Sequence, residues 1–229
     1  MLVPRRRRGF EHLDDPRTEP ALRERSLRDV RRANTLLGGA WAVTRELWRE
    51  PLGPGAALSL LDVGTGLADI PARARRGARR RGVTLTTFGI DEAEVLAARG
   101  AALLDGSVCA DARRLPFPDA SVDVVVCSQV LHHFEEAEIP AVLAELSRVA
   151  RQRVIVSDLR RSWLAAGGFW LVSWPLGFHP VTRHDGLTSV LRGFTPDELA
   201  RHVRSSTGCT PVVRRHPGFR VTATWSPRP

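Results

Sequence analysis

Short apolar runs alternate with helical segments from residue 58 onward. The apolar runs cover residues 58–63, 83–90, 107–110, 122–127 and 153–157. Amphipathic or charged stretches lie between them at residues 69–81, 92–103 and 136–150. Strands that are apolar on both faces and separated by helices are typical of a parallel sheet covered on both sides. The pattern therefore predicts an α/β fold built on a parallel sheet.

Both ends of the chain depart from this alternation. Between Pro20 and Glu50 apolar residues recur at helical spacing with a break at Gly38–Gly39, which predicts two helices. Thr195–Glu198 opens a later helix in the manner of a capping box. Two β-like runs at 211–216 and 219–225 follow, with two residues between them. They predict an antiparallel hairpin at the edge of the sheet.

A glycine turn follows the first predicted strand, in the run Leu60–Gly66. Gly64 and Gly66 allow the backbone to turn tightly and to approach a ligand closely. The dinucleotide fingerprint has a small residue where this chain has Asp69, which argues against a nicotinamide cofactor.

Acidic residues stand at the ends of successive predicted strands. Asp62 is near the end of the first, Asp91 ends the second and Asp111 ends the third. The carboxyl ends of parallel strands form the crevice in which such sheets bind ligands. Each acid alone is more typical of a loop cap, but three in register after a glycine turn favour a ligand site.

These motifs resemble the class I S-adenosylmethionine-dependent methyltransferases. The matching segments, within residues 58–158, are Leu60–Gly66, Gly89–Asp91, Asp111–Phe117 and Ser128–Phe134. The resemblance implies a Rossmann-like seven-stranded sheet with six parallel strands and one antiparallel strand. It also implies a methyltransferase domain over residues 56–229, preceded by a helical extension or lid at residues 1–55.

The same resemblance implies S-adenosylmethionine as the cofactor and assigns residues to it. The glycine turn would contact the methionine part, Asp91 the ribose hydroxyls, and Asp111 with Ala112 the adenine. The full expected set is Asp62, Gly64, Thr65, Gly66, Asp91, Asp111, Ala112 and Ser128. We expect no metal ion.

Candidate catalytic residues follow the fourth and fifth strands. His132 and His133 come after the fourth strand and Asp158 ends the fifth. Histidine titrates near neutral pH and suits a general base. In similar sugar and phenol O-methyltransferases, a histidine and an aspartate at these places carry the proton transfer. We expect His133 to lie nearer the acceptor, while a helix cap remains the alternative role for each of these side chains.

Residues 162–182 contain no aspartate, glutamate or arginine. Trp163, Trp170 and Trp174 recur at helical spacing on one face. Gly167–Gly168 and Pro175 interrupt the segment, which is therefore too broken for a membrane span. We predict a cap helix, within an insertion at about 162–194, whose tryptophans line an apolar pocket. Core packing and peripheral contact with a membrane surface remain alternatives.

Three polar residues outside the central motifs are further candidates for substrate binding. Asn34 lies on the apolar stripe of the first helix, where a buried amide needs a partner. It either reaches the site or caps the break at Gly38. Arg183 and His184 follow the cap segment as polar anchors, with solvated loop charges as the alternative.

The charge balance changes this picture little. The chain has 34 basic and 25 acidic residues in 229, a formal net charge of +9, and all of its basic residues are arginine. A G/C-rich genome explains that skew, so we disfavour nucleic acid as a partner. The arginine cluster at residues 73–81 is more typical of a solvated helix face. Three cysteines without a CxxC pair indicate a reducing, cytoplasmic compartment.

The flanks narrow the resemblance to bacterial small-molecule methyltransferases of the polyketide and phenol type. The segments that carry it are Leu13–Pro16, Asn34–Gly39, Arg183–Gly186 and Thr195–Glu198. The sequence therefore predicts an enzyme that methylates a small, largely apolar acceptor in a biosynthetic pathway, at a phenolic or other hydroxyl oxygen. The alternatives are an RNA-modifying enzyme, a C- or N-methyltransferase, and a non-catalytic cofactor-binding partner. We expect a monomer or a homodimer.

Overall fold

A computed structural model describes residues 3–7, 9–15, 17–53 and 55–227. The strands are β1 (Ala57–Val63), β2 (Thr84–Asp91), β3 (Gly106–Cys109), β4 (Val122–Ser128), β5 (Ala150–Leu159), β6 (Val212–His216) and β7 (Arg220–Trp225). The helices are α1 (Pro20–Leu36), α2 (Gly39–Leu47), α3 (Asp69–Arg79), α4 (Glu94–Ala101), α5 (Ile139–Val149), α6 (Trp163–Ser173), α7 (Pro180–Arg192) and α8 (Pro196–Thr207). Short 3₁₀ turns lie at His12–Asp14 and Leu131–His133.

The seven strands form one sheet in the order β3-β2-β1-β4-β5-β7-β6. Strand β7 pairs antiparallel with both of its neighbours, and every other pair is parallel. Six strands therefore run in one direction and β7 runs in the other, as predicted. The central strand β4 is buried along its whole length. The carboxyl ends of β1, β2, β4 and β5 consequently meet at one edge of the sheet.

Helices cover both faces of this sheet because their apolar residues repeat at helical spacing. On α5, Ile139, Val142, Leu143 and Leu146 are fully buried and pack with α8 on one face. On the other face, Val43 of α2 and the alanines of α3 pack against β1 and β4. The predicted capping box is present, since Thr195 Oγ1 accepts from the Glu198 amide at 3.2 Å. The strand–helix alternation predicted from the sequence is confirmed.

The N-terminal helices lie against the cap region. As predicted, α1 and α2 are separated at Gly38. Asp29 of α1 is buried, and its Oδ2 accepts from the His179 amide at 3.0 Å and from Thr182 Oγ1 at 3.2 Å. These bonds hold α1 beside α7. A separate lid role for residues 1–55 stays a prediction, and Pro16 of the predicted Leu13–Pro16 motif lies outside the described residues.

The cap consists of two helices where the sequence predicted one. Helix α6 ends at Ser173 and α7 begins at Pro180, with Pro175 between them, whose missing N–H disfavours one continuous helix. The buried Arg161 ties the cap to its neighbours, because its guanidinium donates to Pro4 O and to Glu198 Oε1. Within the described residues, no helix is both apolar and long enough to cross a bilayer.

The β6–β7 hairpin contacts the end of α1 through its turn. Gly218 has a φ of +71°, and a Cβ at this position would lie 1.8 Å from the carbonyl oxygen of Leu37. Neither the left-handed conformation nor the contact tolerates a side chain, so this glycine sets the distance between hairpin and helix.

We expect Gly218→Ala to destabilise the protein more than Gly177→Ala. Gly177 has a similar φ of +65°, but a Cβ there would meet no heavy atom within 4 Å. Gly177→Ala should therefore cost only the left-handed strain of about 1–2 kcal/mol. Gly218→Ala should cost about 1–3 kcal/mol more from overpacking. Urea denaturation of both variants measures the difference, and equal losses would contradict the contact.

Candidate active site

A cavity of about 1060 Å³ lies at the carboxyl ends of the parallel strands. One side of its wall comes from the loops after β1, β2 and β4, and the other comes from α1, α6 and α7. Of the residues predicted for the site, those that line it are Asn34, Gly64, Thr65, Gly66, Asp91, Ala112, Ser128, His132 and His133. The sheet edge and the cap therefore enclose one space between them.

The glycine turn after β1 forms the part of the wall nearest the sheet. The amides of Gly64 and Thr65 both donate to Ile90 O at 2.8 Å, which fixes the turn against β2. A Cβ on Gly64 would lie 2.2 Å from a methyl carbon of Val130, so only glycine fits there. A Cβ on Gly66 would meet no atom within 4 Å, because this residue faces the cavity.

Three carboxyl groups gather at this turn. Asp62 lies beneath it, almost fully buried, and accepts from Thr65 Oγ1 at 3.1 Å. Asp91 accepts from the amides of Gly66 at 2.9 Å and Ala93 at 3.0 Å. Asp69, missed as a site residue from the sequence, lines the cavity.

Burial controls the ionisation of these acids. It raises the pKa of Asp62 well above its ordinary value, and the charge of Asp69 raises it further. Burial also raises the pKa of Asp69, although the charge of Arg31 acts to lower it. Burial raises the pKa of Asp91 as well, although hydrogen bonds from two backbone amides act to lower it. One buried oxygen each of Asp62 and Asp69 has no hydrogen-bond partner among the described residues. This wall therefore suits a ligand with hydrogen-bond donors or positive charge.

His132 and Asp158 form a buried hydrogen-bonded pair. His132 Nδ1 lies 2.7 Å from Asp158 Oδ1, and Asp158 also accepts from the amides of Leu159 at 2.7 Å and His132 at 3.2 Å. Burial alone would raise the pKa of Asp158, but the charge and hydrogen bond of His132 hold it below its ordinary value. A carboxylate only accepts, so Nδ1 donates to Asp158, and in the uncharged ring Nε2 carries the lone pair. That Nε2 is buried and has no partner among the described residues.

A second polar chain crosses the cavity wall beside this pair. Arg220 of β7 donates to Gln129 Oε1, and Gln129 Nε2 donates to Asn34 Oδ1. Burial lowers the pKa of Arg220 to about 10, against the opposing charge of Asp158. Asn34 thus lines the cavity while bonded to Gln129, where the sequence left a choice between the site and the helix break. Gln129 and Arg220 were missed, although Gln129 directly precedes the predicted histidine loop.

The N-terminal segment adds a buried acid next to the histidines. Glu11 accepts from Arg192 Nη1 at 2.9 Å, and its other oxygen lies 4.0 Å from His133 Nδ1. The imidazole rings of His132 and His133 are 4.3 Å apart between centroids. Potential ligand atoms of these three residues lie within 4.8 Å of one another. Arg192 already neutralises Glu11, which weakens the attraction for a cation, and the expectation of no metal ion stays a prediction.

Contrary to the prediction, the cavity is not lined by the tryptophans of the cap or by the two polar residues that follow it, Arg183 and His184. Trp163, Trp170 and Trp174 share one face of α6 as predicted, but they are 45%, 52% and 56% exposed and do not line the cavity. Small residues and Phe169 occupy the inner face because α6 packs closely on α7. Arg183 and His184 also lie outside the cavity wall. Arg183 stacks on Trp174, and His184 binds Asp185.

Asp111 and the arginine cluster also lie outside the cavity wall. Asp111 pairs with Arg113 at 2.6 Å, whereas its neighbour Ala112 lines the cavity. Asp158 does not line the cavity either, but it is hydrogen-bonded to His132, which does. None of the arginines between residues 73 and 81 lines the cavity; Arg75 pairs with Asp105, and Arg81 stacks on Trp48.

Comparison with known proteins agrees with this geometry. Residues 61–157 match a family model described as a methyltransferase domain. A search of curated proteins finds no significant match.

Many solved structures share the fold. A 1,6-didemethyltoxoflavin-N1-methyltransferase of Burkholderia thailandensis, with its substrate and S-adenosylhomocysteine bound, is 18% identical (TM-score 0.60; 89% of this chain and 84% of that one). A SAM-dependent methyltransferase of Aquifex aeolicus is 16% identical (TM-score 0.59; 95% and 98%). The magnesium protoporphyrin IX methyltransferase of Synechocystis PCC 6803, with bound S-adenosylhomocysteine, is 15% identical (TM-score 0.55; 94% and 91%).

The sheet order, the glycine turn and the matched domain define an enzyme of the class I methyltransferase fold. The comparisons support an S-adenosylmethionine-dependent methyltransferase with S-adenosylmethionine as its cofactor. The resemblance read from the sequence is confirmed.

We expect Asp62→Asn to stabilise the cofactor-free protein at neutral pH. Because the folded pKa of Asp62 is raised, the stability it contributes is present below its unfolded pKa and is lost as pH rises through the folded value. Asparagine does not titrate and can still accept from Thr65, so the gain should grow as pH rises from about 4. Urea denaturation across this pH range measures it.

Asp105→Asn is the matched control. Hydrogen bonds from the Thr87 amide and hydroxyl lower the pKa of Asp105. This carboxylate contributes stability above its unfolded pKa, so the substitution should destabilise the protein at neutral pH. A loss of stability in Asp62→Asn at neutral pH would argue against the unfavourable burial of its charge.

Proposed function

We propose that the enzyme transfers a methyl group to a hydroxyl oxygen, phenolic or other, of a small and largely apolar acceptor in a biosynthetic pathway. The observation that carries the proposal is the hydrogen bond of His132, a residue that lines the cavity, to the buried Asp158, which leaves the His132 Nε2 without a partner among the described residues. A positioned base has a purpose only if the accepting atom has to lose a proton.

The residues of the turn after β1 fit the cofactor. S-adenosylmethionine, when bound, supplies an electrophilic methyl group on a positively charged sulfur. The turn at Gly64–Gly66, which is open at Gly66, suits the methionine part, and Asp91 suits the ribose hydroxyls. Ala112 and Ser128 border the remaining space. Asp69 lines the same side of the cavity, and one of its carboxyl oxygens has no hydrogen-bond partner among the described residues.

His132 acts as the general base in this proposal. Its Nε2 takes the proton of the acceptor hydroxyl, and the imidazolium that forms is stabilised by the carboxylate of Asp158. Because Nδ1 already donates to Asp158, the ring is held in the tautomer and orientation that the transfer requires. The sequence favoured His133 as the nearer base. However, His132 Nδ1 lies 2.7 Å from Asp158 Oδ1, whereas His133 Nδ1 lies 4.0 Å from Glu11 Oε2.

The acceptor side of the cavity is apolar. Leu27 and Val30 of α1 and Phe169 of α6 line it, together with Phe178. An apolar ring or chain gains free energy by leaving water for such a wall, about 25 cal/mol per Å². The Burkholderia structure of the same fold holds 1,6-didemethyltoxoflavin together with S-adenosylhomocysteine, which supports a small-molecule acceptor.

We expect Asp91→Asn to weaken binding of S-adenosylmethionine. The substitution removes the charged acceptor of the ribose hydroxyls, worth about 1.5–3 kcal/mol for hydrogen bonds to a charged group. Isothermal titration calorimetry should show an increase in Kd of about tenfold or more.

Asp119→Asn is the matched control, because that carboxylate pairs with Arg148 and neither residue lines the cavity. Its Kd should stay within a few-fold of the wild-type value. The same loss in both variants would remove Asp91 from the cofactor site.

We expect His132→Gln to lower kcat by about 10²–10⁴-fold, the usual contribution of a positioned base. Calorimetry should show little change in cofactor affinity. The loss should shrink towards pH 10, because a phenol ionises near that pH without help. His133→Gln, in the same turn, should lose much less.

The pH profile distinguishes a chemical role from a structural one. A misfolded site would lose activity equally at every pH, whereas a missing base is compensated at high pH. If His132→Gln keeps full turnover, the acceptor atom needs no base, as for a nitrogen lone pair, and the oxygen-acceptor proposal fails. The methyltransferase assignment does not depend on this outcome.

A further inference from the structure

Helix α6 has two apolar faces, one towards the cavity and one exposed on the surface. Its inner face lines the cavity through Ala165, Gly168, Phe169 and Val172. Its outer face carries large apolar side chains that are between 45% and 65% exposed: Trp163, Leu164, Trp170, Leu171 and Trp174. Exposed apolar patches of contiguous large side chains mark interaction surfaces.

The cavity and the outer face are separated by a single thin helix. Val172 lines the cavity and is 38% exposed. Gly167 and Gly168, in the middle of α6, have no side chain, and a Cβ at either would meet no heavy atom within 4 Å. The outer face therefore lies directly across one helix from the cavity.

Arginines flank the outer face at both ends of the helix. The guanidinium of Arg7 lies 5.8 Å from the ring centroid of Trp163, and that of Arg183 lies 3.9 Å from the ring centroid of Trp174. Residues 162–182 contain no acid that would neutralise them. Tryptophans between arginines are typical of a surface that sits at the headgroup level of a bilayer.

We propose that the outer face of α6 docks on an anionic lipid surface and that the acceptor is an amphiphile whose alkyl chain enters the cavity from that surface. The part concerning the acceptor rests on the proposed function, whereas the docking does not. No described helix can cross a bilayer, so the contact is peripheral, with the tryptophans and leucines at the boundary of headgroups and acyl chains.

Charge favours a lipid surface over a second copy of the chain as the occupant. In a two-fold contact the same patch would face itself, which brings arginine opposite arginine with no acid on α6 to pair with either. Anionic headgroups attract each basic residue near the surface. The net charge of +9 adds long-range attraction of the same sign.

Vesicle co-sedimentation of the full chain, without cofactor or acceptor, tests the docking. We expect binding to vesicles of phosphatidylglycerol and phosphatidylcholine, weaker binding to phosphatidylcholine alone, and a blue shift of tryptophan emission on binding. The double variant Leu164→Ser/Leu171→Ser should bind about tenfold more weakly or worse, because it removes two side chains from the inserted face.

The matched control removes two exposed aliphatic side chains elsewhere. Val95 and Leu103 are 79% and 52% exposed and do not line the cavity, so Val95→Ser/Leu103→Ser should bind vesicles like the wild type. Equal thermal unfolding of both double variants shows that the fold is intact; should the α6 variant unfold, Arg183→Gln alone should still weaken binding to anionic vesicles.

Three outcomes would overturn the proposal. One is no binding to anionic vesicles at low ionic strength, and another is an equal loss in the two double variants. The third is a dimer in sedimentation velocity that Leu164→Ser/Leu171→Ser abolishes, since a second copy would then cover this face. Vesicle binding with an unchanged rate in His132→Gln would instead leave the docking intact and defeat only the proposed function.

Discussion

The burial of a single negative charge at Asp158 is the constraint on which the rest of the site depends. A carboxylate in a sheet interior is costly unless hydrogen bonds and opposite charge compensate it. Two backbone amides and His132 supply the bonds, and the buried Arg220 supplies charge from the neighbouring strand β7. Asp158 pairs in register with Val221, so the antiparallel strand β7 brings the arginine to this end of the sheet. The strand pairing and the state of the histidine are thus parts of one electrostatic arrangement.

The fold followed closely from the sequence because local patterns determine it. Fully apolar runs became buried strands, as in β4, and the Gly38 break, the Thr195 capping box and the terminal hairpin lie where the pattern placed them. Each of these signals acts within a few residues, through the conformation of the chain or the spacing of apolar side chains. The parts of the site on the loops after β1, β2 and β4 share this property. His132 and Gly64 lie on such loops and were predicted.

The missed residues depend on contacts between segments that are distant in the sequence. Glu11 and Arg220 reach the cavity from the two ends of the chain, and no local pattern distinguishes them from surface charges. The tryptophans of α6 show a second limit of predictions from local pattern. Their spacing correctly predicted one face, but spacing does not say whether a face meets the core or the surroundings. In α6, Phe169 and the small residues pack against α7, so their face is buried and the face with the tryptophans is exposed.

The division of the cavity wall between segments has a consequence for how such an enzyme diversifies. In the proposed function, the donor side comes from the segment between the glycine turn and His133, while the acceptor side comes mainly from α1, α6, α7 and the tip of the terminal hairpin. Substitutions on the acceptor side can alter the shape offered to a new compound without disturbing the groups that hold the methyl donor. One scaffold can thereby acquire new substrates by gradual change while its chemistry stays constant.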